Sequence, residues 1–236
     1  MRKKKARHFR NSGFTLAELM ICVLLSSIMY LTVFASAQTG ILSMRHTDVR
    51  IHLNDQLNRA VNAFSREIVQ TSPAVNSPHI NITTDANTNS VVSFQIPVDA
   101  DGINDWSGST RSDIIDNTTE YVQWGAHKNL GNEDSNNALL GQWIRYSVQQ
   151  NAGITDPSMR NQLVRETLLA NGTTVDPAQP SKVIASNITR FQVTKNAQRL
   201  AVVLEGTARD NTQGGGTPRI IRDSYSTDLI LRNDTY

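Results

Sequence analysis

The chain has one cysteine, Cys22, in 236 residues, so no intrachain disulfide holds any part of it and a folded domain must rest on packing. Proline is absent before Pro73, so no residue up to that point is barred from a continuous helix. Aromatic residues make up only 6%, and no basic stripe with interleaved aromatics is present, which argues against direct nucleic-acid binding. There is no glycine-rich phosphate loop and no nucleophile elbow around a serine. His46, His52, His79 and His127 fall at spacings that do not suit a metal centre. The composition therefore points to a non-enzymatic protein without a required cofactor.

What the sequence does have is concentrated at its start. Six basic residues, Arg2, Lys3, Lys4, Lys5, Arg7 and Arg10, lead into Gly13. An apolar stretch, Phe14–Ala37, follows at once, with Glu18 as its only charge. Its 24 residues exceed the roughly 20 that a helix needs to cross a hydrocarbon core. The basic flank stays on the cytoplasmic side, which directs residues after 37 outside the cytoplasm as a single-pass protein. A carboxylate within the apolar run costs about 2.5–3.5 kcal/mol at mid-bilayer, so Glu18 marks a function and calls for a partner.

The junction Gly13-Phe14-Thr15-Leu16-Ala17-Glu18-Leu19-Met20 resembles the processing site of type IV prepilins and type II secretion pseudopilins. The resemblance implies that a prepilin peptidase in the bacterial inner membrane cuts between Gly13 and Phe14 and methylates the new amino group of Phe14. It also implies that Glu18 meets the amino terminus of a neighbouring subunit during assembly. Physical chemistry agrees: a positive amine on Phe14 gives a carboxylate at the same depth a counter-ion. A second reading stays open. Ala35-Ser36-Ala37 has the form of a signal-peptidase site, and cleavage there would release a soluble protein starting at Gln38.

Removal of residues 1–13 changes the charge balance. The leader takes six of the 23 basic residues and none of the 21 acidic ones, and 17 against 21 gives −4 for the mature chain. The precursor's positive charge thus says nothing of an anionic partner. Beyond the membrane stretch, Leu53, Leu57, Val61, Phe64 and Ile68 recur at spacings of three and four, one face of a helix. The pattern ends at Thr71-Ser72-Pro73. Phe14–Gln70 would form a helix of roughly 85 Å, softest at Gly40.

From residue 73 onward the sequence alternates in strand fashion between polar loops. Ser90–Ile96, Glu120–Trp124, Trp143–Gln149, Gln162–Leu169, Asn187–Lys195, Arg199–Thr207 and Ser224–Arg232 are the expected strands. The organisation is then a basic leader (1–13), a transmembrane or fibre-core helix (14–37), its amphipathic continuation (38–72) and one β-rich head (73–236). The expected class is α+β, a long N-terminal helix packed on an antiparallel head in pilin-like fashion. Trp124 and Trp143 are expected in the core and Trp106 in an exposed loop. Asp99, Asp101, Asn104 and Asp105 gather oxygen ligands and form a weak candidate for calcium. Ile103 and Thr110 break the EF-hand pattern, and an Asx-rich turn explains the cluster equally well.

The segments around Ile144-Arg145-Tyr146, Leu163–Glu166, Ile184–Phe191 and Asp228–Asn233 are similar to those of PilW-like minor pilins and J-type minor pseudopilins. That similarity implies a minor structural subunit of a type IV pilus, at the tip or initiation complex, on the cell surface. The alternatives are a minor pseudopilin of the periplasmic piston in protein secretion, or a fibre-tip adhesin. The implied partners are prepilin peptidase, other pilin or pseudopilin subunits bound through the N-terminal helix, and the inner-membrane assembly platform.

Overall fold

The computed structural model describes residues 15–71, 78–98, 115–116, 121–122, 124–128, 138–157, 159–210 and 218–231. A helix, α1, runs over Leu16–Ile68 without interruption, through Gly40 as well. The chain divides into two compact units, Met1–Thr47 and Asp48–Tyr236. The expected combination of one long apolar helix with antiparallel sheets is what the structure has, and the class is α+β.

In the second unit, α1 supplies Leu53, Leu57, Ala60, Val61, Phe64, Glu67 and Ile68 as one buried face. The sheet segments are β1 (Ile80–Thr84), β2 (Ser90–Phe94), β3 (Ile96–Pro97), β4 (Ile115–Asp116), β5 (Tyr121–Val122), β6 (Trp124–His127) and β7 (Ala138–Leu140). They continue as β8 (Trp143–Gln150), β9 (Asn161–Leu168), β10 (Lys182–Ser186), β11 (Ile188–Asn196), β12 (Arg199–Asp210) and β13 (Arg219–Ile230). Five strands pair in the order β1-β2-β8-β9-β10 and three in the order β11-β12-β13. Smaller sheets join β3-β6-β7 and β4-β5, and every pairing is antiparallel.

Phe64 ties the helix to both larger sheets. Its ring meets Phe94 of β2, Tyr146 of β8 and Phe191 of β11 edge-on, with centroids 6.3, 5.1 and 5.5 Å away. Edge-to-face pairs of this kind contribute about 0.5–1.5 kcal/mol each beyond their buried area. A second joint is polar. The outward N–H groups of Phe191 and Val193, on the free edge of β11, donate to Asn89 Oδ1 (3.0 Å) and Ser90 Oγ (2.9 Å). These bonds satisfy buried backbone donors that have no strand beside them.

The structure corrects the expected strand list. β1, β4, β7 and β10 were not expected; they are short, and β1 and β10 form the two edges of the five-stranded sheet, with three of five side chains exposed in β1 and two of five in β10. Such positions carry little apolar alternation to read. Ser90–Ile96 divides at Gln95: β2 pairs with β1 and β8, and beyond Gln95, whose backbone N–H still bonds to His79 opposite it, β3 turns to pair with β6. Trp124 and Trp143 are half-buried rather than in the core. Trp124 stacks on His79, with ring centroids 4.0 Å apart, and Trp143 lies against Gly172, so each ring covers a sheet margin.

Candidate functional site

Within the first unit, every large apolar side chain from Leu16 to Met44 that the helix exposes is between 42% and 82% open. The exposure runs around the whole helix, since Leu19, Met20, Ile21, Val23, Leu24 and Leu25 are all included. A helix apolar on all sides belongs in a bilayer or in a bundle of other helices. Among the described residues, α1 alone is long and apolar enough to cross a membrane. Its hydroxyls suit such a medium: Ser26, Ser27, Thr32 and Thr39 donate to the carbonyls of Cys22, Val23, Met29 and Ala35 at 2.7–2.9 Å. Polar groups satisfied within the helix do not oppose transfer into hydrocarbon.

Glu18 lies in the first turn, and its carboxylate is already in use. Thr15 N–H donates to Glu18 Oε2 at 2.9 Å, and Thr15 Oγ1 does so at 3.0 Å. In return, Glu18 N–H donates to Thr15 Oγ1 at 3.3 Å. This is a capping box, with Thr15 as N-cap and Glu18 three residues on. Reading the junction for processing alone missed it, although Thr-x-x-Glu ahead of an apolar run is its sequence signature. The cap holds the carboxylate at the mouth of the helix, where the N-terminal dipole favours negative charge. The expected cleavage pair, Gly13 and Phe14, lies outside the described residues, as do Asp99, Asp101, Asn104, Asp105 and Trp106. Among the described residues no group of three or more His, Cys, Asp or Glu is placed to hold a metal ion.

The second unit contains a polar cluster that the sequence reading did not single out. Glu67, in the last turn of α1, is 1% exposed and faces the sheets. Arg165 of β9 grips it with Nε at 3.0 Å from Oε2 and Nη2 at 2.9 Å from Oε1. Tyr146 of β8 donates its hydroxyl to Oε2 at 2.7 Å. Arg165 Nη2 also donates to the carbonyl of His127 in β6, at 2.7 Å. Burial, then the Glu67 charge, pushes the Tyr146 hydroxyl well above its usual pKa. Burial alone would lower the Arg165 pKa, but Glu67 and Tyr146 reverse that and raise it. The His127 ring, 3% exposed, has no hydrogen-bond partner among the described residues. Burial and the nearby Arg165 charge lower its pKa from 6.5 to about 4.

Glu67 is thus closed from solvent with both carboxylate oxygens occupied, and it has no open position for a reacting group. Its chemistry is that of a clamp between the end of α1 and strands β6, β8 and β9. One signal was available in the sequence: Glu67 falls three residues after Phe64, on the apolar face. An acid there requires a buried partner. Which partner is set by a contact with Arg165, 98 residues away. In comparisons with known proteins, no protein-family model, curated protein or solved structure matches the chain.

Proposed function

We propose that this chain is a minor type IV pilin-like subunit, made as an inner-membrane precursor, cut between Gly13 and Phe14, and assembled into a fibre. The observation that carries the proposal is the helix Leu16–Met44, apolar and exposed on every side, directly behind six basic residues and the Gly13–Met20 junction. A bilayer covers such a surface before assembly, and a bundle of the same helices covers it afterwards. Other pilin subunits are then the partners of the first unit, with prepilin peptidase and the assembly platform acting on the precursor. The second unit is the pilin-like head, presented outside the cytoplasm and held to its helix by Phe64 and the Glu67–Arg165 clamp.

Mass spectrometry of the N-terminal peptide, from protein recovered from host membranes and medium, tests this reading. A peptide beginning at methylated Phe14 is expected. A peptide beginning at Gln38 would identify a released soluble protein, and the fibre assignment and the role of Glu18 would both be lost.

A further inference from the structure

Strand β13 ends its sheet. Among the described residues β12 is its only strand neighbour, over an unbroken register from Arg199↔Ile230 to Asp210↔Arg219. The direction of its free backbone groups follows from one hydrogen bond. Leu231 N–H donates to Gln198 O at 2.9 Å, which continues the same register and turns Leu231 toward β12. Antiparallel ladders alternate residue by residue. The N–H and C=O groups of Ile220, Arg222, Ser224, Ser226, Asp228 and Ile230 therefore point away from β12. The side chains of these six residues are exposed too.

Open edges in soluble domains are usually blunted by a bulge, a proline, lysines or a covering segment. The opposite edge of this sheet is covered, since Asn89 and Ser90 occupy the outward N–H groups of β11. β13 contains no proline, no lysine and no bulge. Among the described residues its one local seal is the bond from Ser224 N–H to Asp223 Oδ1, 3.0 Å away on the adjacent residue. Its charges are arranged in a way that a blocking role does not explain. Ile220-Ile221-Arg222-Asp223-Ser224 and Ser226-Thr227-Asp228-Leu229-Ile230 flank Tyr225 as a near palindrome. Antiparallel pairing with an identical strand about Tyr225 sets Arg222 against Asp228 twice, Ile220 against Ile230 twice, and Ser224 against Ser226 twice. These are the same six residues whose backbone groups point outward, so they form the hydrogen-bonded pairs. Tyr225 faces itself across the two-fold axis at a non-hydrogen-bonded site. A shift of one residue would match outward-facing groups to inward-facing ones.

We propose that β13 pairs with β13 of a second copy of this chain, antiparallel and centred on Tyr225, joining two three-stranded sheets into one of six strands. The occupant is identified by self-complementarity: each strand offers the charge that the other needs, at the same distance from the axis. Such an isologous contact closes on itself and does not propagate. The pairing concerns the head and stands or falls independently of the fibre assignment.

Cysteine cross-linking in the full-length chain, solubilised in mild detergent with Cys22→Ser as background, tests it. Tyr225→Cys should give a disulfide-linked dimer under mild oxidation, because Cα atoms at a non-hydrogen-bonded pair lie about 4.5 Å apart, within disulfide reach. Arg222→Cys and Asp228→Cys should each stay monomeric alone and cross-link when mixed. Adding Arg222→Asp to the Tyr225→Cys chain should lower the yield about tenfold by placing like charges opposite each other twice. Adding Asp228→Arg as well should restore it, and recovery by a second charged substitution excludes misfolding as the cause. Monomeric Tyr225→Cys would overturn the proposal. So would its cross-linking only to other proteins in host membranes, self-linking of Arg222→Cys as ready as that of Tyr225→Cys, or a yield indifferent to Arg222→Asp.

Discussion

Replacing Glu67 with alanine tests how the head is held to its helix. In the folded chain the carboxylate accepts two guanidinium nitrogens of Arg165 at 2.9–3.0 Å and the Tyr146 hydroxyl at 2.7 Å. Both Arg165 and Glu67 are under 5% exposed, so water cannot replace what is removed. The alanine variant leaves a buried guanidinium with the His127 carbonyl and an unpaired phenol. Removing one partner of a buried ion pair costs about 3–5 kcal/mol, and a domain of ordinary stability has only about 5–15 kcal/mol in all. Urea unfolding of the full chain in mild detergent, followed by tryptophan fluorescence, should show the midpoint falling by about 2 M for a slope near 2 kcal/mol per molar. Tyr146→Phe removes one bond to a charged group and should cost about 1.5–3 kcal/mol. The double variant Glu67→Met with Arg165→Met removes both charges, and it should recover most of the loss seen with Glu67→Ala. A cost below about 1 kcal/mol for Glu67→Ala would refute the reasoning, because a buried charge without its partner cannot be that cheap.

His127 has a folded pKa of about 4 against an ordinary 6.5, so the unfolded chain takes up its proton first as the pH falls. Its contribution is fully present above about 6.5 and is lost between there and about 4, by roughly 3 kcal/mol; His127→Leu should flatten stability against pH in that window. Asp223, held below its usual range by the hydrogen bond from Arg50, acts only at lower pH, so it does not share the window. A methyl group on Gly125 would strike the backbone carbonyl of Leu139 in the adjacent strand, whereas one on Gly206 meets the side-chain ends of Leu53 and Leu57 at 3.0 and 3.1 Å and the Asn187 carbonyl at an ordinary 3.4 Å. Gly125→Ala should therefore cost about 1–3 kcal/mol and Gly206→Ala less, and thermal melts that reverse this order would contradict the packing. On the proposed fibre role, Glu18→Gln keeps the Thr15 cap but removes the charge, so it should impair incorporation. Normal incorporation of the glutamine variant in a fibre assay would leave Glu18 as a cap alone.

The sequence by itself determined the long helix. Leu53, Leu57, Val61, Phe64 and Ile68 carry a periodicity of three and four, and no proline interrupts it before residue 73. β8, β11 and β12 were legible because their alternation reflects one buried face, as at Ile144, Tyr146, Phe191, Val193, Leu200, Val202 and Leu204. β1 and β10 were not, since a short, partly exposed edge strand is specified by its neighbour's backbone more than by its own apolar pattern. Glu18 was visible as a charge in an apolar run, and its local partner Thr15 was in plain sequence view. Only the tertiary structure decided the partner of Glu67, because Arg165 and Tyr146 approach it through strands β9 and β8. It alone decided which edge of the second sheet Asn89 and Ser90 seal and which, among the described residues, has no strand beside it at β13. Periodicity along a chain records which face of an element is buried; which residue meets it across the core is set by sheet order and register, and these act between segments that the sequence keeps far apart.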